Sequence, residues 1–316
     1  MSRARNALRA LGARRGDCVV LCIENAPALL ALTFGAQRIG LYFVLVSTKA
    51  SVSELTYIVE DSQARWAIVS TATEAGHDPT MLTRSRARTF TLGAQPASLL
   101  ERWEPPFETP FDAVDSRNAS AARVSGMTEG SVYLSTSPLY HSAPNRYLST
   151  AVHLGATSVI LERFDAELAL QAIDRFQCTH GLWVPTMFHR LLRLPEEVRM
   201  RYQIDSMKAA IHGAAPCPVH IKAQMIDWWG PIISEYYSGT EGISATLITS
   251  AEWLAHRGSV GRAVDGVIHI LDQDCHEVPA GMVGKGYFES DARFEYWNAP
   301  GKTHAMASPR VGAPLR

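Results

Sequence analysis

The sequence has few cysteines, no surplus of either charge and no apolar run long enough to cross a membrane. Its five cysteines are Cys18, Cys22, Cys178, Cys217 and Cys275. An odd number without a Cys-x-x-Cys pair argues against a disulfide framework and against a structural zinc site. Cys18 and Cys22 share one face of an apolar run, so we expect them to be core thiols. A reducing compartment suits such free thiols.

The balance of charges excludes several classes of partner. The chain carries 30 basic and 31 acidic residues, so it has no basic excess for nucleic acid or for an anionic membrane surface. The apolar region from Cys18 to Phe34 is interrupted by Glu24, Asn25 and Pro27, which excludes a membrane span there. The arginine-rich residues 3–15 indicate a short basic helix rather than a targeting sequence. We expect a cytoplasmic protein with no transmembrane segment and no nucleic-acid partner.

Strand and helix patterns alternate along most of the chain. Short apolar runs and helical patterns follow one another over residues 17–70 and again over residues 131–238, which predicts a parallel sheet with helices on its faces. Beyond Gly258, the runs Val267–Leu271 and Gly286–Glu289 are separated by turn residues, which predicts an antiparallel portion. The predicted fold class is therefore α/β, with stacked parallel-rich sheets flanked by helices and a C-terminal antiparallel β portion.

The alternation fails between Thr71 and Gly130. Pro105, Pro106 and Pro110 are followed by a polar run without apolar periodicity, and a loop of this length is functional, disordered or the result of a deletion. We therefore divide the chain into a first α/β part at 1–70, an irregular segment at 71–130, a second α/β part at 131–256, and a β-rich remainder at 257–316.

The segment that carries most chemical information follows the apolar run Pro231–Ile233. It reads Tyr236-Tyr237-Ser238-Gly239-Thr240-Glu241-Gly242, which predicts a buried strand that ends in a tight polar turn. An aromatic ring can stack on a base, a hydroxyl can bind a phosphate, and a carboxylate can bind a magnesium ion that bridges phosphate oxygens. A surface turn with Thr and Glu is also common, so this segment alone does not decide its role.

Three further segments precede this one. Gly213-Ala214-Ala215-Pro216 follows a predicted strand, and its small residues allow a flat ligand to approach the backbone. The other two are Ser137-Pro138-Leu139-Tyr140-His141-Ser142-Ala143-Pro144 and Trp183-Val184-Pro185-Thr186-Met187-Phe188. Taken singly, the first segment is equally well explained as a plain strand-to-helix turn. His141 in the second can be a structural histidine, and the third can consist of ordinary core residues.

Together and in this order, the segments resemble the acyl-adenylate-forming, AMP-binding superfamily. Residues 16–70 and 131–303 are similar to the large N-terminal domain of an acyl-CoA synthetase or fatty-acid–CoA ligase. The resemblance implies catalytic roles for Thr240, Glu241 and His141, with Glu241 binding Mg²⁺. It implies a nucleotide site formed by Gly213, Ala214, Ala215, Pro216, Tyr236, Tyr237, Ser238, Gly239 and Thr240, and an acyl pocket formed by His141, Trp183, Pro185 and Met187. The implied ligands are ATP or AMP, Mg²⁺, CoA, and a fatty acid or related carboxylate.

Two departures from the family pattern qualify this function. Residues 115–130 contain no lysine and no glycine cluster, whereas the family's phosphate loop directs backbone N–H groups and one cation at phosphates. Nothing in the sequence positions Arg117 or Arg123 as a substitute. We also expect that the hinge and the small C-terminal domain with its catalytic lysine are missing. The sequence therefore predicts an ATP-dependent acid–CoA ligase that is impaired or inactive; the alternatives are a non-catalytic acyl- or adenylate-binding remnant and the nonfunctional product of a rearranged gene.

Overall fold

The computed structural model describes residues 2–77, 87–92, 101–103, 116–306 and 313–314. The chain forms two compact units, one of Met1–Phe111 with Tyr133–Phe164 and one of Asp112–Val132 with Asp165–Arg316. The four-part division drawn from the sequence follows the chain rather than contacts in space, and it stays a prediction.

The described elements alternate between helix and strand over most of the chain. The helices are α1 (Ser2–Ala10), α2 (Pro27–Arg38), α3 (Val52–Asp61), α4 (Glu74–His77), α5 (Ser116–Ser125), α6 (Ser142–His153), α7 (Ala166–Phe176), α8 (Pro185–Leu192), α9 (Glu196–Arg199), α10 (Val219–Trp229), α11 (Ser250–Ala255) and α12 (Pro300–Ala305). The strands are β1 (Cys18–Cys22), β2 (Tyr42–Leu45), β3 (Trp66–Ser70), β4 (Arg88–Leu92), β5 (Glu101–Trp103), β6 (Val132–Ser135), β7 (Thr157–Ile160), β8 (His180–Trp183), β9 (Ala209–His212), β10 (Ile233–Ser238), β11 (Ala245–Ile248), β12 (Arg262–Ala263), β13 (Val267–Leu271), β14 (Lys285–Glu289) and β15 (Ala313–Pro314).

The first unit contains a fully parallel sheet in the order β2-β1-β3-β4. All residues of β1 and β3 are buried, as expected for parallel strands covered on both faces. Cys18 and Cys22 belong to one buried apolar cluster, which confirms that they are core thiols. Burial raises the pKa of Cys22 to about 11, so this thiol stays protonated. In the same unit β6, β7 and β5 are neighbours, and β5 pairs antiparallel with β7.

Helix starts follow the chemistry that the sequence indicates. Ser51 is the N-cap residue of α3. Its hydroxyl accepts from the Glu54 N–H at 3.3 Å, while the Glu54 carboxylate accepts from the Ser51 N–H at 2.8 Å. This reciprocal capping box satisfies two backbone donors that the helix itself cannot pair.

In the second unit, the strands β8, β9 and β10 are parallel neighbours. The chain then turns back, because β10 pairs antiparallel with β11, and β11 pairs antiparallel with β12. Antiparallel pairing therefore begins before Gly258, earlier than predicted, since the four residues of β11 are too few to give a readable period. The antiparallel sheet β13-β14-β15 lies after it, and its first two strands agree with the prediction.

The prediction of no regular structure between Thr71 and Gly130 is wrong for the residues described there. They form α4, β4, β5 and α5. Helix α5 escaped detection because its sequence is polar almost all round, with Ala121 and Ser125 buried; alanines supply helix propensity without an apolar stripe. Pro105, Pro106 and Pro110 lie outside the described residues. No helix in the described part of the chain is long and apolar enough to cross a membrane.

Candidate functional site

Strand β9 in the second unit ends in the small-residue turn Gly213–Pro216. Gly213 is buried, whereas Ala214, Ala215 and Pro216 are exposed. A Cβ atom on Gly213 would lie 2.6 Å from the ring of Tyr236 and 2.7 Å from its carbonyl oxygen. Only glycine therefore allows this contact between the end of β9 and β10. Ala214 adopts φ +68°, a left-handed conformation that costs an L-residue roughly 1 kcal/mol. Strain of this kind occurs at ligand sites.

The two tyrosines of the motif point to opposite faces, because successive side chains alternate along a strand. Tyr236, Tyr237 and Ser238 belong to β10, and the polar turn that the sequence predicted at the end of this strand follows them. Tyr236 packs on Gly213, and Tyr237 is the exposed ring, at 36% exposure. Ser238 donates its hydroxyl to the Ser244 carbonyl at 2.7 Å, which closes the turn that follows.

Glu241 lies in that turn, and each of its two carboxylate oxygens has a close neighbour in the structure. The turn closes with the Gly242 N–H donating to the Gly239 carbonyl at 3.1 Å, and Gly242 has φ +67°. The Tyr296 hydroxyl donates to Glu241 Oε1 at 2.5 Å. Oε2 lies over Gly239, where an added Cβ would approach it to 2.6 Å. Glu241 is half-buried and Thr240 is exposed, so a hydroxyl and a fixed carboxylate sit side by side.

Tyr296 is a site residue that the sequence analysis did not assign. Its N–H donates to Thr303 Oγ1 at 2.9 Å, and Lys302 Nζ lies 4.7 Å from its ring centroid. Phe294 packs edge-on against the ring at 5.3 Å. No local signal in the sequence links Tyr296 to a turn 55 residues earlier.

The side chain that precedes Tyr236 belongs to a buried ionic group. Glu235 Oε2 accepts from Lys222 Nζ of α10 at 2.7 Å, and Lys222 is fully buried. His212 Nε2, at the end of β9, lies 3.6 Å from the same oxygen. Burial and the nearby ammonium group lower the pKa of His212 to about 3, so the ring is neutral. The sequence analysis identified none of these three residues.

The predicted acyl-pocket residues of the second unit lie in its aromatic core. Trp183 ends β8 and is fully buried, with its ring edge-on to Trp229 at 5.1 Å. Pro185 begins α8, and Pro185 and Met187 are among its buried residues. Pro185 suits the first position of a helix, where its missing N–H costs nothing. Their role as a pocket stays a prediction.

His141 lies in the first unit, as the N-cap residue of α6, and it is exposed. The Tyr140 ring packs against it at 4.3 Å. The chain before it is held by Asn25: its amide nitrogen donates to the Ser137 carbonyl at 3.1 Å, and its amide oxygen accepts from the Leu139 N–H at 2.8 Å. Asn25 was seen in the sequence only as an interruption of an apolar run.

Residues 116–125, in the region of the expected phosphate loop, form helix α5. Arg123 donates to both carboxylate oxygens of Asp265 at 3.0 Å, and the expectation that nothing positions it as a substitute for the phosphate loop stays a prediction. The pair is exposed on both sides, so solvent screens it and it holds the guanidinium only weakly. Arg117 belongs to the helix, and its side chain lies outside the described residues.

Comparisons with known proteins match most of the chain to AMP-binding enzymes and CoA ligases. The family described as AMP-binding enzyme matches residues 1–121 and 111–294. The chain is 25% identical over 287 residues to feruloyl-CoA synthase from Amycolatopsis sp, covering 83% of this chain and 57% of that protein. It is 24% identical over 337 residues to the long-chain-fatty-acid–CoA ligase FadD13 from Mycobacterium tuberculosis, covering 96% of this chain and 66% of that protein.

Solved structures share the fold. The inhibitor-bound N-terminal domain of FACL13 from Mycobacterium tuberculosis superposes with a TM-score of 0.80 at 22% identity, covering 98% of this chain and 85% of that one. The amide bond synthetase McbA from Marinactinospora thermotolerans gives a TM-score of 0.82 at 21% identity, covering 99% and 68%. The chain thus spans the large domain of such proteins and about 57–66% of the length of the relatives named above. With the family match extending over nearly the whole chain, this protein belongs to the AMP-binding enzyme family.

Proposed function

We propose that this chain carries the nucleotide- and acyl-binding part of an acid–CoA ligase. In this reaction, a carboxylate oxygen attacks the α-phosphorus of ATP and pyrophosphate leaves. The thiol sulfur of CoA then attacks the acyl carbonyl, and AMP leaves. The observation that carries the proposal is the fixed carboxylate of Glu241 beside the exposed Thr240, at the end of the strand that presents Tyr237. The named ligase relatives support it.

The resemblance to the family implies the roles of the nucleotide-site residues, and their exposure agrees with those roles. Ala214, Ala215 and Pro216 are exposed small residues, and Tyr237 is an exposed ring, so we assign them to the two faces of the adenine. Tyr236 packs on Gly213 and shapes this surface from the other side of β10. Thr240 can donate its hydroxyl to the α-phosphate, with Ser238 at the end of β10 and Gly239 in the turn setting its position.

Glu241 suits Mg²⁺. This ion prefers oxygen ligands, keeps several waters, and is usually held by one or two carboxylates together with substrate phosphates. A half-buried carboxylate fixed through Tyr296 provides one such ligand, and hydrogen bonds to ligating carboxylates are typical of metal sites. The bound ion would neutralise charge that develops on the phosphates. The contribution of the chain itself is to hold Glu241 still.

The acyl substrate is a fatty acid or another carboxylic acid. We assign His141 to the acyl pocket and to the substrate carboxylate, and Trp183, Pro185 and Met187 to the pocket. One of the relatives named above is a feruloyl-CoA synthase and another is a long-chain-fatty-acid–CoA ligase, so the relatives do not narrow the class of carboxylic acid further.

Adenylation by this chain alone should be slow. Residues 115–130 offer no lysine, α5 occupies most of that stretch, and Arg123 donates to Asp265. Each donor missing from such a site costs roughly 10²–10³ in rate. An acyl- or adenylate-binding protein without turnover is therefore the second candidate.

The test is fatty-acid-dependent exchange of labelled pyrophosphate into ATP, with Mg²⁺ and several acyl chain lengths. Glu241→Gln keeps the shape of the side chain and removes its charge, so it is the matched control. Exchange above that control would support ligase chemistry. No exchange, together with a thermal transition that moves up with AMP, would favour the binding protein, because a ligand that binds only the folded state raises stability. If the protein shows no exchange and also binds no AMP, the proposed site is refuted.

A further inference from the structure

A buried ion pair joins helix α10 to strand β10 in the second unit. Lys222 of α10 has no exposed surface, and the Glu235 side chain of β10 is 8% exposed. The ammonium nitrogen lies 2.7 Å from Glu235 Oε2 and 4.9 Å from the ring centroid of Trp253. A charge in this environment is costly unless it is paired, so each partner requires the other.

Stability alone does not account for such a pair. Buried ion pairs are often matched or surpassed in stability by apolar residues of similar volume, because removing two charges from water offsets their attraction. Apolar packing is not directional, whereas a hydrogen-bonded ion pair fixes the distance and direction between two atoms. What the pair adds is a fixed position for the elements that carry it.

Those elements are the ones that flank the candidate nucleotide site. Glu235 is opposite His212 in the β9–β10 register, and His212 immediately precedes the turn Gly213–Pro216. Side chains two apart on a strand point to one face, so Glu235 lies on the same face as the exposed ring of Tyr237. Lys222 belongs to helix α10, which begins three residues after Pro216, at Val219. The ion pair therefore connects the chain that leaves the turn to the strand that carries the tyrosine.

We propose that Lys222 and Glu235 are positioning residues that fix the turn Gly213–Pro216 relative to Tyr237 for an adenine nucleotide. This inference rests on the proposed nucleotide site. His212 does not take the place of Lys222, because its ring is neutral and its Nε2 atom is 3.6 Å from the carboxylate oxygen, beyond hydrogen-bond distance.

The decisive variant is Lys222→Met with Glu235→Met, which removes both charges and keeps two long side chains. We expect this double variant to unfold at the temperature of the unchanged protein or above it. We expect its Kd for AMP, measured by calorimetry without Mg²⁺, to rise about tenfold. Lys222→Met alone should unfold at a lower temperature, because it leaves Glu235 buried without its partner. The matched control removes the exposed pair of Arg201 and Glu167, 3.2 Å apart in the same unit, and should leave AMP affinity unchanged.

Hydrogen exchange supplies a readout that does not depend on nucleotide binding. Amides of the β9–β10 ladder at residues 210–212 and 233–236 should exchange at least tenfold faster in the double variant, while those of α7 stay unchanged. Unchanged AMP affinity and unchanged exchange would overturn the proposal, and so would a double variant that does not fold, because the pair would then be structural. Absence of AMP binding to the unchanged protein would refute the nucleotide site instead, and ladder exchange would still decide whether the pair positions these strands.

Discussion

Replacing Tyr296 with phenylalanine removes one oxygen atom and one hydrogen bond from the candidate metal ligand. The hydroxyl donates to Glu241 Oε1 at 2.5 Å, and hydrogen bonds to charged groups contribute roughly 1.5–3 kcal/mol. Removal of a hydrogen-bonding partner from a metal ligand typically lowers metal affinity about 10–100-fold. Because Tyr296 and Glu241 are half-buried rather than buried, we expect the lower end, a loss of about tenfold.

The assay is a titration of Mg²⁺ at fixed ATP, with nucleotide binding followed by calorimetry. Tyr296→Phe should raise the Mg²⁺ concentration at half-saturation about tenfold and leave AMP binding without Mg²⁺ unchanged. Tyr57→Phe is the matched control, because the Tyr57 side chain is 65% exposed in the first unit and should change neither quantity. Glu241→Gln sets the upper limit of the effect.

The reasoning is refuted if Tyr296→Phe leaves the Mg²⁺ dependence unchanged, or strengthens it, while Glu241→Gln weakens it. Strengthening would mean that the hydroxyl competes with the cation for Oε1 instead of orienting the carboxylate. If neither variant changes the Mg²⁺ dependence, then Glu241 is not a metal ligand and the proposed metal role is wrong.

Three further predictions concern other parts of the chain. Gly213→Ala brings a Cβ within 2.6 Å of the Tyr236 ring, so chemical denaturation should show a free energy of unfolding lower by about 1–3 kcal/mol, and calorimetry should show a weaker affinity for AMP. If neither value changes, β9 and β10 accommodate the added methyl group and the close contact is not required. The hydrogen bond with Glu277 raises the pKa of His269, so the stabilisation from this pair is complete below the ordinary pKa of 6.5 and is lost as pH rises through the higher pKa of the folded state. An NMR titration of the His269 ring should give a pKa above 6.5. His269→Gln should remove this contribution to the pH dependence of Tm. Asp165 caps α7 by accepting a hydrogen bond from a backbone N–H at 2.9 Å, so Asp165→Ala should lower the free energy of unfolding by about 1 kcal/mol. A loss below about 0.3 kcal/mol, which is on the order of experimental error, would contradict the cap.

Most elements of the fold could be predicted because their signals are local. Strand β13 (Val267–Leu271) has the predicted bounds, since an apolar period and its flanking turn residues lie within about ten residues. Elements without such a period were missed: polar α5 lacks an apolar stripe, and short β11 depends on its pairing with β10. Tertiary context decides such segments.

The sequence by itself determined the α/β class, the order of most elements and the motif residues, because periodicity, capping and turn chemistry are properties of neighbouring residues. Only the tertiary structure decided what holds those residues in place. Tyr296 reaches Glu241 across 55 positions, Lys222 meets Glu235 across 13, and Asn25 holds the chain before His141 across more than 110. A side chain that is unremarkable in its own segment becomes a partner only when the sheet order and the helix packing bring two distant segments within hydrogen-bond distance.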